Sequence, residues 1–178
     1  KFVEVPGDPL LDIVPGPAQS VQLIAPRLVS ADEAFDVLLR VDDAWGNTCR
    51  DVPHEGVLTL IDPQGEASSQ PFELATEGWA IARLEGVKLG EIGEWRLSAE
   101  VAGVRGAQAF VTVGPAGTAL RPLYADLHVH SDDTVGTNDT LYNLSYGRDV
   151  AGLDVLGYTA NDFNITEQRW DQAVKLIH

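Results

Sequence analysis

Asp126-Leu127-His128-Val129-His130 holds two of the chain's four histidines, with an aspartate two residues before the first. In an extended strand successive side chains alternate faces. Asp126, His128 and His130 therefore project to one side, and Leu127 and Val129 to the other. Two imidazoles and a carboxylate on one face, followed by Asp132 and Asp133, can surround a divalent transition metal. Zinc, manganese or iron suit such donors better than calcium, which takes oxygen only. A half-buried strand whose polar face meets water is the competing account. The apolar opposite face and the acidic run favour the metal.

Positioning those side chains requires a strand over residues 124–130, and the pattern that follows is regular. Residues 131–139 read as a polar loop. Residues 140–151 read as a helix with Leu141, Leu144 and Val150 inward, an N-cap from Asn138 or Asp139, and a stop at Gly152. Leu153–Thr159 is a second strand, apolar enough for burial on both faces. After a loop at 160–164, Asn164 and Glu167 form a capping box for a last helix with Trp170, Ala173, Val174 and Ile177 at helical spacing. Strand, loop and helix, twice over, is the start of a parallel βα series.

The first two thirds of the chain has period two instead. Residues 1–18 are a lead-in punctuated by Pro6, Gly7, Pro9, Pro15, Gly16 and Pro17. Residues 19–114 carry seven or eight short alternating segments, such as Phe35-Asp36-Val37-Leu38-Leu39-Arg40-Val41 and Trp95 to Val101, separated by Gly- and Pro-containing turns. An antiparallel β-sandwich follows. The turn Val41-Asp42-Asp43-Ala44-Trp45-Gly46-Asn47 and the strand Gly93-Glu94-Trp95-Arg96-Leu97-Ser98-Ala99 resemble those of bacterial immunoglobulin-like modules. Trp79 and Trp95 fall on positions that serve a sandwich core better than a carbohydrate platform. His54 reads as an exposed loop residue, and residues 115–123 as the linker to the terminal domain, 124–178.

Twenty-seven acidic against 12 basic residues leave a net charge of −15, which repels phosphate backbones and anionic membrane surfaces. Neither nucleic acid nor membrane is expected as a partner, and the apolar runs are too short to span a bilayer. Cys49 is the only cysteine, so no internal disulfide and no thiolate cage can form. The compartment stays open.

Asp126-Leu127-His128-Val129-His130-Ser131 resembles the first motif of the PHP (polymerase and histidinol phosphatase) superfamily, and residues 147–159 resemble the helix and strand that precede its second. The resemblance covers roughly residues 122–178. It implies a distorted (β/α)7 barrel, His128 and His130 as ligands of a divalent metal, Asp126 as a neighbour orienting an imidazole, and phosphoester hydrolysis by metal-bound water. The second motif departs from the family: Ala160 and Asn161 stand at its usual aspartate and histidine, leaving Asp162 one position along as a substitute ligand. The chain also ends inside the second helix of that pattern. The expected architecture is therefore mixed: an all-β immunoglobulin-like sandwich followed by a βαβα fragment of a PHP-type barrel. The expected function is that of an inactive fragment of a metal-dependent hydrolase of unspecified small-molecule substrate, its metal site open or empty. Its uncovered apolar surface would pack on the sandwich or self-associate. The alternative is a non-catalytic scaffold of that family, or a β-sandwich module that binds glycan or protein.

Overall fold

The computed structural model describes residues 14–117 and 120–177. Most of the expected lead-in over 1–18 lies outside them. Eight strands build the main body: β1 (Ser20–Ile24), β2 (Leu28–Ser30), β3 (Phe35–Asp42), β4 (Glu55–Ile61), β5 (Ala67–Glu73), β6 (Ile81–Val87), β7 (Gly93–Val101) and β8 (Val104–Gly114). Alternation explains them. On β3, Phe35, Val37, Leu39 and Val41 are buried, while Asp36 between the first two is exposed. Turn chemistry joins them. The Asp62 carboxylate accepts from the backbone N–H of Gln64 and Glu66 between β4 and β5, and Gly103 turns β7 into β8 at φ +74°.

One layer runs β5-β4-β7-β8 with β2 added parallel to β8, and the other runs β1-β3-β6. A single parallel pair, Ser20 with Arg105, joins them edge to edge. The ends of the path, β5 and β6, are consecutive in the chain and lie against each other, so the eight-stranded sheet is nearly closed. Leu39, Leu58, Leu97, Val37, Val41 and Val111 fill its interior.

The terminal segment forms two further strands, β9 (Ala125–Val129) and β10 (Val155–Tyr158), paired in parallel. Between them α1 (Thr140–Ser145) runs on as a π-helical turn, Tyr146–Val150, closed by the bond from Ala151 N–H to the Tyr146 carbonyl. Asp139 caps α1, accepting from Tyr142 N–H at 2.7 Å. Helix α2 (Glu167–Ile177) follows, with the Thr166 hydroxyl, rather than Asn164, accepting from Arg169 N–H.

The expected mixed architecture is corrected here. The described residues are mostly β, with one nearly closed sheet and only two α-helices, and contain no (β/α)7 barrel. The terminal segment does not open a barrel but docks on the outside of β1, β3 and β6. Arg40 on β3 donates to the Val150 carbonyl at 2.8 Å, and Arg83 on β6 to the Arg148 carbonyl at 2.8 Å. Gly152, at φ +68°, lies so close to Ile24 and Leu38 that a Cβ there would come within 3.1 Å of Leu38. This contact buries Leu38, whose side chain points away from the sheet interior. Nor is β10 buried on both faces: Val155 is exposed and Leu156 to Tyr158 are half-buried. Two strands make no interior of their own. No helix among the described residues is long and apolar enough to cross a membrane.

Candidate functional site

His128 lies near the end of β9 and His130 just past it. Alternation puts both rings on one side, and the structure brings them together: their Nε2 atoms are 2.9 Å apart, with the rings edge to face at 4.7 Å between centroids. His128 is exposed and His130 half-buried. The backbone around His130 is tightly held. Its carbonyl accepts from Asn143 Nδ2 at 3.0 Å. Gly136 packs so closely on it that a Cβ would fall 2.6 Å from the His130 oxygen. At the end of β9, the Val129 carbonyl accepts from both the N–H and the hydroxyl of Thr159. The histidine pair is thus fixed by α1, by the loop at 132–139 and by β10.

The carboxylates behave differently. Asp126 curls back, its Oδ1 accepting from the His128 backbone N–H at 3.1 Å. Asp162 stands exposed in the turn after β10. No group of three or more His, Cys, Asp and Glu that could hold a metal exists among the described residues. The histidines therefore meet, and the expected third and fourth ligands, Asp126 and Asp162, do not join them in such a group.

Asp133, part of the acidic run that favoured a metal, is consumed in a hydroxyl network. It accepts from Thr140 Oγ1 at 2.7 Å and from Tyr158 OH at 3.2 Å, and faces Arg169 at 3.9 Å. Ser131 Oγ, fully buried, lies 2.8 Å from Thr140 Oγ1 and 3.0 Å from Tyr158 OH, and accepts from Asp133 N–H. A carboxylate only accepts and each hydroxyl carries one proton. Thr140 and Tyr158 therefore donate to Asp133, and Ser131 donates to one of them. Thr140 and Tyr158 lie 7 and 25 residues beyond Asp133, and no local spacing along the chain points to their meeting.

Three buried polar atoms beyond the ends of β9 and β10 have no hydrogen-bond partner among the described residues: His130 Nδ1, Thr134 Oγ1 and Asn161 Oδ1. Ligating imidazoles ordinarily have their second nitrogen held by a carboxylate or carbonyl. His130 lacks that support among the described residues.

Other sequence readings resolve simply. His54 is exposed. Cys49 is buried, and burial, with Asp43 and Asp42 nearby, pushes its thiol up. Trp95 packs on the core, its indole N–H donating to the Glu91 carbonyl. Trp79 does not: it precedes β6, half-buried, with its ring edge-on to Tyr146 and under the Arg50 guanidinium.

No protein-family model matches the sequence, and no curated protein is similar to it. Among solved structures, a superoxide reductase (neelaredoxin) from Ignicoccus hospitalis is similar at 15% identity and a TM-score of 0.43, over 55% of this chain and 82% of that one. CopC from Methylosinus trichosporium OB3b is similar at 14% identity and 0.36, over 58% of this chain and 99% of that one. A β-glucosidase from Listeria innocua is similar at 12% identity and 0.37, over 64% of this chain and 18% of that one. At these values the likenesses carry no argument about chemistry. The PHP resemblance is overturned: no family model supports it, and the described residues form a β-sheet body without a (β/α) barrel. The assignment as a fragment of a metal-dependent phosphoesterase goes with it. A two-residue His-x-His spacing and a strand–helix–strand order are local features, compatible with many tertiary settings.

Proposed function

We propose that the chain is a non-catalytic β-sandwich binding module whose terminal strand pair presents His128 and His130 as a two-imidazole site for a divalent transition metal. The observation that carries this is the 2.9 Å between the two Nε2 atoms. With metal–nitrogen bonds of about 2.0–2.1 Å, two donors at that spacing subtend roughly 90° at a shared ion. Adjacent positions of an octahedron need that angle, and a few tenths of an ångström of ring movement give the tetrahedral one. Imidazole selects zinc and the later first-row ions over calcium or magnesium. Remaining positions fall to water or to a partner's donor, since no third His, Cys, Asp or Glu joins the pair among the described residues.

Titration with Zn²⁺, followed by calorimetry, tests the site. The wild-type chain should bind one equivalent, with affinity well short of a four-ligand structural site. His128→Ala combined with His130→Ala should abolish the equivalent, while Asp126→Asn, at a side chain bonded to the His128 backbone N–H and to neither ring, should leave it in place. Equal metal content in the wild type and the double variant would remove the assignment.

A further inference from the structure

We propose that the cleft between Trp79, Tyr142 and Tyr146 is a second binding site, for a neutral saccharide. Its volume is about 310 Å³, at the small end of small-molecule sites and suited to one or two sugar rings. Trp79 comes from the segment before β6, Tyr142 from α1 and Tyr146 from the π-helical turn, so the cleft exists only because the terminal segment docks on the sheet.

The rings orient one another. Tyr142 and Tyr146 are stacked, 20° from parallel with centroids 5.9 Å apart, and Tyr146 meets Trp79 edge-on at 6.2 Å. Arg50 lies 4.5 Å above the Trp79 ring and holds it from another side. Tyr142 remains 38% exposed, so it is available to a ligand. The C–H bonds of a pyranose face carry partial positive charge, which the negative face of an aromatic ring attracts.

Polar groups complete the site. The Asn47 amide donates through Nδ2 to both oxygens of Asp43, at 3.0 and 3.3 Å. The Asn143 amide donates through Nδ2 to the His130 carbonyl. Those acceptors dictate which end of each amide is nitrogen. Both Oδ1 atoms are thereby left without a partner among the described residues, as fixed acceptors for hydroxyl protons. Thr48, also in the lining, is buried, and its hydroxyl is unpartnered among the described residues.

Charge selects the ligand class. The cleft has no charged side chain in its lining, although the protein carries −15. By contrast, the cleft at the β7–β8 turn is lined by Glu55, Glu73 and Glu100. A site with rings, amides and a hydroxyl but no charge matches a neutral polyol ring rather than an anion or an ammonium ion.

Binding is read by tryptophan fluorescence and saturation-transfer NMR, with maltotriose, cellotriose, xylotriose and triacetylchitotriose as probes and choline as the cationic control. Each is tested with and without Zn²⁺, so that this site and the histidine pair are judged separately. At least one saccharide should saturate with a Kd of about 1 mM. Tyr142→Ala and Tyr142→Leu should each weaken it about tenfold, and Tyr142→Phe should retain it. The leucine variant keeps apolar bulk, so its loss reports the ring and not misfolding. No saturable binding of any of the four saccharides, saturation by choline alone, or unchanged affinity in both ring-deleted variants would overturn the proposal.

Discussion

Asp43 illustrates how a single carboxylate organises a turn. It accepts from the Asn47 amide, from the backbone N–H groups of Asn47 and Trp45 in its own turn, and from Gly16 N–H some 27 residues upstream. These bonds, the Asn47 side chain foremost, hold its carboxyl well below the usual carboxylate range against the opposing effect of burial. A depressed value means that the contribution to stability is present above the unfolded range, about pH 4, and is lost as pH falls through the folded value. Asp43→Ala should therefore lower the melting temperature at neutral pH, with the gap to wild type narrowing below about pH 4. A gap independent of pH would show that the charged form is not what matters. The Asp133 network makes a second claim at this scale. Tyr158→Phe removes one hydroxyl donor and should cost about 1 kcal/mol in urea unfolding, without moving the histidine pair.

Between elements, the joint of the terminal segment with the sheet turns on Arg40, Arg83 and Gly152. Arg40 donates to the Val150 carbonyl, and its Nε lies 3.2 Å from Asp42, whose side chain is almost fully buried. Arg40→Met leaves that carboxylate buried without a cation, which should destabilise by about 3 kcal/mol. Adding Asp42→Asn should recover a large part of the loss, and denaturant unfolding of the single and double variants measures the recovery. Gly152 sits at φ +68° against Leu38 and Ile24. Gly152→Ala forces both strain and a displaced Leu38 and should cost about 1–2 kcal/mol. Because Tyr142 and Tyr146 belong to the same docked unit, the aromatic cleft should loosen with it, which Trp79 fluorescence would report.

For the molecule as a whole, burial is uneven. The β body has a filled interior, whereas Leu127 on β9 is 67% exposed and Phe163 and Trp170 are also exposed. A parallel strand pair normally has both faces covered. On the apolar side of β9, opposite the histidines, Leu127 is exposed and Val129 half-buried. We propose self-association through this face, with a second copy as its occupant. Sedimentation velocity over a concentration series should show reversible dimerisation, and Leu127→Glu should suppress it. A monomer at all concentrations would refute it.

Local chemistry was legible from the residues alone. The alternation of Phe35, Val37, Leu39 and Val41 specifies a half-buried strand, the Asn138-Asp139 pair offers a cap, which the structure takes from Asp139, and the spacing of His128 and His130 specifies two imidazoles on one side of β9, because each depends only on neighbours along the chain. What those pieces belong to was decided in three dimensions. The order β9, helix, β10, helix is shared by barrels and by short appendages, and only long-range contacts such as Arg40 with Val150 and Leu38 with Gly152 distinguish them. Asp133 could equally have turned to a metal, yet Thr140 and Tyr158, distant in sequence, reach it first. Trp79 read as core by its place in an alternating run. The tertiary structure brings Tyr146 and Arg50 to its ring instead and makes it the wall of a cleft.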